Sequence, residues 1–305
     1  MRSTFRMIGL ADIITLLNGL FGASAILLIV LAVEELQHPF FENGVRTTYI
    51  WAAMGCILLS VFGDAIDGPI ARRYSKTKIL GGSLDIMSDC ISFCLAPALL
   101  MFVMFGRWGQ ASPVWTISLA VASCWVIVTG MLRLARFHTE NDSETPYFNG
   151  LASPGSALLL ITVSALIWLQ PSSGLGPEVS TNCMLCLSDS AIHEKPYFES
   201  LILPVMFLAG ALMISDRKLP KTKSGFSLKL TIIQFFSLIF GIVLSMDHIT
   251  PAGIDLRDMG VPFSLFFLSL LLVIFYITYG PTIVAKEQMA QAEQIDFESS
   301  SESAE

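Results

Sequence analysis

Charged side chains are scarce in this chain: Asp, Glu, Lys and Arg make up 14% of its 305 residues, against 53% hydrophobic ones. A soluble domain carries roughly a quarter charged residues, so a surface wetted on all sides is excluded. Cysteine is sparse too, six in all, which excludes a disulfide scaffold. Basic residues form no stripe that could track a nucleic-acid backbone, so no nucleic-acid partner is expected. The formal charge of −7 is concentrated at one end, because residues 287–305 hold six acids and no base. Without them the chain holds nineteen acids against eighteen bases. No convincing internal repeat is present.

Long apolar runs are what the chain does have. A membrane-spanning helix needs about 20 of them in a row, and eight stretches qualify, at about 12–33, 48–68, 82–105, 113–136, 151–170, 198–215, 226–246 and 261–284. Segments such as HPFFENG, GRWGQASP, NDSETPYFNG and DRKLPKTKSG separate them with turn chemistry. The first run follows Arg2 and Arg6 but is longer than the roughly 7–15 residues of a signal peptide, and no A-x-A site follows it, so a retained helix is expected. With a cytoplasmic N-terminus, fourteen of the eighteen basic residues fall on the inner side and only Arg46, Arg107, Lys195 and Arg257 on the outer. The positive-inside rule therefore places both termini in the cytoplasm. The expected class is an all-α polytopic transmembrane bundle, an integral protein of the cell membrane.

Against this background four aspartates stand out in GDAIDGPIARRYSKTKILGGSLDIMSDC, residues 63–90. Asp64 and Asp67 lie at the inner end of the second run, Asp85 and Asp89 at the start of the third. Spacings of three and four put each pair on one helix face, and a short connection makes the two helices antiparallel neighbours. A carboxylate within hydrocarbon costs roughly 2.5–3.5 kcal/mol on insertion scales, and four together would repel one another. Bound cations remove both penalties, and four hard oxygen donors suit Mg²⁺ or Mn²⁺, two ions bridged by shared carboxylates. The plainer alternative is that the aspartates cap helix ends at the interface. Between the pairs, Gly68 and Ala71 remove bulk beside the carboxylates, Arg72 suits phosphate oxygens, and Gly81 and Gly82 clear the start of the third run. Taken singly, these small residues would serve helix packing equally well.

The stretch fits the pattern D-x-x-D-G-x-x-A-R-x8-G-x-x-x-D-x-x-x-D at Asp64, Asp67, Gly68, Ala71, Arg72, Gly81, Asp85 and Asp89 without departure. It thereby resembles the CDP-alcohol phosphotransferase family. The resemblance implies a six-helix catalytic core, here 1–216, two divalent cations on the four aspartates, and Asp89 as the base that deprotonates the acceptor alcohol. It implies CDP contacts at Gly68, Ala71, Arg72 and Gly81, and a homodimer. Residues 217–285 would then be two additional helices and 286–305 a disordered acidic tail.

ITLLNGLFG at 14–22, RLARFH at 133–138, YFNGLASPGSA at 147–157 and, more loosely, LMISDRKLP at 212–220 resemble segments of the phosphatidylserine synthase branch. That branch implies a CDP-linked lipid donor, diacylglycerol or archaeol, and L-serine as acceptor. His138 stands where Asn is usual there, Ala152 where Pro is usual, and Asp12 where many members have Asn.

Arg133 and Arg136, three apart at the inner end of the fourth run, read either as a topology signal or as a fork for the serine carboxylate. Thr15, with Asp12 and Asn18, falls near the nucleotide or its entrance, with helix packing an equal account. Cys183 and Cys186, in an outer loop, suit a local disulfide or an inert pair better than zinc, while Cys56, Cys90, Cys94 and Cys124 read as apolar filler. Two rivals remain. The same chemistry could use glycerol phosphate, inositol phosphate or an amino alcohol. A cation transporter would explain the carboxylates, though not the Gly/Ala/Arg pattern between them.

Overall fold

The computed structural model describes residues 9–33, 47–74, 78–106, 113–140, 147–169, 199–220, 225–245 and 260–302. Its helices are α1 (Leu10–Ala32), α2 (Thr47–Tyr74), α3 (Lys78–Asp89), α4 (Ala96–Phe105), α5 (Pro113–Glu140), α6 (Ser153–Trp168), α7 (Ile202–Ile214), α8 (Gly225–Ser245) and α9 (Val261–Glu302). A π-helical segment, Cys90–Leu95, joins α3 to α4 in one continuous rod. The helical bundle carries one small ribbon, in which β1 (Tyr147–Asn149) pairs antiparallel with β2 (Lys218–Pro220).

Six helical stretches among the described residues are long and apolar enough to cross a membrane, which makes this an integral membrane protein. The expected spans at 151–170 and 198–215 correspond to two shorter apolar helices, Ser153–Trp168 and Ile202–Ile214. At 1.5 Å per residue, 16 and 13 residues reach only about 24 and 20 Å, short of the roughly 30 Å hydrocarbon layer. α6 owes its apolar run to a different demand. Nearly its whole length is buried, Leu160, Ile161 and Ala165 completely so, and a helix surrounded by protein is apolar on every face whatever its length.

Apolar side chains also cover the outside. Leu27 and Leu31 of α1 and Val114 and Ile117 of α5 are more than half exposed, an arrangement suited to lipid rather than water. Inside, Trp51, Phe93, Phe105 and Phe266 are fully buried. The last two helices share this core, since Phe266 of α9 stacks on Trp51 of α2 with ring centroids 5.8 Å apart and Leu238 of α8 is fully buried in it.

Because lipid tails are as apolar as leucine, helix association in such a bundle depends on close packing and on hydrogen bonds from small polar residues. The joint between α1 and the α3 rod uses both. Ser88 Oγ donates to the Thr15 carbonyl at 2.9 Å and Ser92 Oγ to the Asn18 carbonyl at 3.1 Å. Ser60 of α2 donates to that same Asn18 carbonyl at 3.1 Å, so three helices meet there. Gly22 permits the approach, because a Cβ there would overlap Ser92. On the other side of the bundle, Thr162 of α6 and Ser269 of α9 share a hydrogen bond of 3.1 Å.

The acidic end departs from expectation. Residues 286–302, read from composition as a disordered tail, continue α9 as far as Glu302. That stretch contains neither Gly nor Pro, and Gln, Ala, Met and Glu dominate its first half. All are good helix formers, so nothing stops a helix already nucleated within the bundle.

Candidate active site

The two aspartate pairs sit where α2 ends and the α3 rod begins. Ligand oxygens of Asp64, Asp85 and Asp89 lie within 4.8 Å of one another, with Asp64 and Asp85 half-buried and Asp89 buried. Asp89 is the last residue of α3, and the π turn starts at the next residue. A π turn widens the helix and offsets the faces on either side of it, a device common at functional sites. On this rod Ser88 and Ser92 bond to α1 while Asp85 and Asp89 join Asp64. Thr15 of α1 is buried, and its carbonyl accepts from Ser88, the residue before Asp89.

The site suits a hard divalent ion. Its three donors are all carboxylate oxygens, with no sulfur or imidazole among them, which is the set that favours Mg²⁺ or Mn²⁺ over zinc. Beside it, Asn18 is 1% exposed, and neither its amide nitrogen nor its amide oxygen has a hydrogen-bond partner among the described residues. Its Oδ1 lies 3.6 Å from where a Cβ on Gly63 would be, next to Asp64. Buried amides are rarely left without partners, so Asn18 brings unsatisfied polar atoms next to the carboxylates.

Among the described residues, Arg133 of α5 supplies a positive charge to the site. It is 8% exposed and interacts electrostatically with Asp89 and Asp64. Its Nε donates to the Leu151 carbonyl at 2.6 Å and Nη1 donates to Ser153 Oγ at 3.3 Å. The GLASPGSA segment thus has a mechanical task, which is to present a carbonyl and a hydroxyl to this guanidinium. Gly150 makes the turn possible, with φ of +77° and with the carbonyls of Met213, Ser215 and Leu212 crowding the place of a Cβ.

Arg136 is placed differently. It forms an ion pair with Asp216 at 2.8 Å, with side chains 37% and 83% exposed. The two arginines expected to form one acceptor pocket therefore have separate partners. His138 is exposed, and its ring lies 3.5 Å from the Cβ position of Gly82, one turn before Asp85. Asp12 accepts the Gly9 N–H at 2.7 Å and closes the first turn of α1, a capping role.

The backbone of 67–72 is helical, within α2, but the side chains of Asp67, Gly68, Ala71 and Arg72 lie outside the described residues, as do Cys183 and Cys186. Gly81 lies in α3, four residues before Asp85. Cys56, Cys90, Cys94 and Cys124 form no disulfide. Residues that sequence reading left out are Ser88, Ser92, Ser153 and the Leu151 carbonyl. Of these, Ser88, Leu151 and Ser153 lay in segments singled out for their resemblance and Ser92 did not, but a serine at an unspecified motif position and a backbone carbonyl have no sequence signature of their own.

Three convergent carboxylates in a helical membrane bundle, with a buried arginine beside them, make a membrane-embedded site for charged ligands. The chain belongs to the CDP-alcohol phosphatidyltransferase family, whose profile matches residues 8–193. It is 30% identical over 196 residues to a CDP-diacylglycerol–serine O-phosphatidyltransferase of Helicobacter pylori, covering 61% of this chain and 70% of that one. Proteins of the same description from Saccharomyces cerevisiae and Methanocaldococcus jannaschii are each 30% identical, over 233 and 222 residues. Each covers 72% of this chain, and 73% and 78% of the relative respectively.

Proposed function

We propose that the chain transfers the phosphatidyl group of CDP-diacylglycerol, or the archaetidyl group of CDP-archaeol, to the hydroxyl of L-serine and releases CMP. The observation that carries this reading is the convergence of Asp64, Asp85 and Asp89 within 4.8 Å beside a buried arginine. The names of the three relatives support serine as the acceptor.

Asp64, Asp67, Asp85 and Asp89 would hold two divalent cations, Mg²⁺ or Mn²⁺. When bound, these supply charge neutralisation for the diphosphate and the departing CMP. Gly68, Ala71, Arg72, Gly81 and Thr15 bound the CDP subsite. Asp89 accepts the proton of the serine hydroxyl. The serine oxygen then bonds to the lipid-bearing phosphorus, and the bond from that phosphorus to the bridging oxygen breaks. The bridging oxygen leaves with CMP. Arg133 holds the serine carboxylate with the donors not engaged by Leu151 and Ser153, and its burial strengthens that charge-assisted contact. Arg136 lines the approach. The site opens to the cytoplasmic leaflet, both termini are cytoplasmic, and the working form is a homodimer with one site per protomer.

The test is to supply purified protein with CDP-diacylglycerol or CDP-archaeol, Mn²⁺ and labelled L-serine. Labelled lipid and CMP in equal amounts are expected. CMP release only with another alcohol would reassign the acceptor. Cation flux in liposomes without CMP release would overturn the enzymatic reading in favour of a transporter.

A further inference from the structure

α9 lies beyond the segment matched by the family profile, which ends at residue 193, yet it reaches the substrate site through a short chain of contacts. Tyr276 Oη donates to the Pro220 carbonyl at 2.9 Å. One turn on, Gly280 lets α9 close on the ribbon, since a Cβ there would lie 2.8 Å from Leu219 and 3.0 Å from Pro220. Pro220 and Leu219 pair with Tyr147 and Phe148. The turn that follows β1 is tied down twice more, Gly150 N–H donating to the Arg217 carbonyl at 2.8 Å and Leu151 N–H to the Leu212 carbonyl at 2.9 Å. The next link is the Leu151 carbonyl, which receives Arg133 Nε at 2.6 Å.

We infer that Tyr276 is a positioning residue: by anchoring the β1–β2 ribbon to α9 it sets where Arg133 stands, and so the affinity for the carboxylate of the acceptor. This rests on the reading of Arg133 as the acceptor-carboxylate residue. Three features favour positioning over mere packing. The phenol bonds to the backbone of the ribbon rather than to its own helix. The carbonyl that fixes Arg133 lies two residues past the end of β1. And the path between them runs through main chain, by the β1–β2 pairing, the peptide continuing from Asn149 to Leu151 and the two backbone hydrogen bonds of Gly150 and Leu151, rather than through side chains that could repack.

The experiment uses the full chain in detergent or nanodiscs and compares Tyr276→Phe with wild type, Arg133→Gln and a control on the same helix, Tyr279→Phe, which is 57% exposed. Losing one hydrogen bond is worth about a fivefold change. Tyr276→Phe is expected to raise the serine KM by about that factor, with kcat and the CDP-lipid KM within about twofold. Tyr279→Phe should leave all three unchanged. In an Arg133→Gln background, Tyr276→Phe should add nothing further to the serine KM. An unchanged serine KM in Tyr276→Phe overturns the inference, as does a fall in kcat and melting temperature with the KM intact. If Arg133→Gln itself leaves the serine KM unchanged, the acceptor assignment fails. If Arg133→Gln raises it and Tyr276→Phe does not, only the positioning role fails.

Discussion

Arg133 donates its Nε–H to the backbone carbonyl of Leu151 at 2.6 Å, joining α5 to the turn that opens α6. A buried guanidinium committed in this way has a fixed orientation, and its remaining N–H groups point along directions the protein has chosen.

Replacing Arg133 with Lys keeps the charge and discards the fork. Lysine offers a compact ammonium on a flexible stem and cannot hold Leu151, Ser153 and a carboxylate in one plane. Arg133→Lys is expected to raise the serine KM at least about tenfold, with the CDP-lipid KM little changed. Steady-state kinetics with each substrate varied in turn will show it, and equal effects on both KM values would contradict it.

Asp89 is the proposed base, and general-base catalysis contributes about 10²–10⁴ in rate. Asp89→Ala should therefore lose at least about a hundredfold in turnover while still binding CDP, measured by calorimetry. Full activity in Asp89→Ala membranes would remove the base assignment.

Removal of divalent ions should abolish transfer, with Mg²⁺ or Mn²⁺ restoring it. Asp64→Asn and Asp85→Asn each take one charged oxygen donor from a cluster spanning 4.8 Å. Each should weaken Mn²⁺ binding at least about tenfold, as read by electron paramagnetic resonance of the protein without substrate. Unaltered Mn²⁺ affinity in both variants would rule the cluster out as the ion site.

Gly22 lies where α1 meets the π segment, and a Cβ would come within 2.7 Å of the Ser92 Cα. Backbone cannot yield as a flexible side chain can. Gly22→Ala is expected to cost about 1–3 kcal/mol and to lower the melting temperature in detergent. A melting curve superimposable on wild type would show that the helices have room to part.

Gly150 has a positive φ, +77°, and its missing side chain faces three carbonyls. Gly150→Ala imposes a strain of order 1–3 kcal/mol on the strand that feeds Leu151 to Arg133. Both a lower melting temperature and a raised serine KM are expected. A stability loss with an unchanged KM would separate the turn from the acceptor site.

Sequence alone was enough to specify a membrane bundle and the place of its carboxylate centre. Both follow from free energies so large that few arrangements survive them. Apolar runs of some twenty residues have one economical environment. Carboxylates at Asp64, Asp85 and Asp89 within such runs must meet each other or an ion, and the three do converge.

Tertiary structure alone decided the rest, because the interactions concerned are worth about a kilocalorie each and leave no periodic trace. Arg133 and Arg136 look alike in sequence, yet one is held by a backbone carbonyl and the other by Asp216. The apolar composition of 153–168 reflects burial within protein as readily as contact with lipid, so it could not report the length of that helix. The helical state of 286–302 is inherited from a nucleus folded earlier in α9, which no local count of charge reveals. The bond from Tyr276 to Pro220 spans 56 residues and ends on a main-chain oxygen, an acceptor that every residue type carries and only the fold can select.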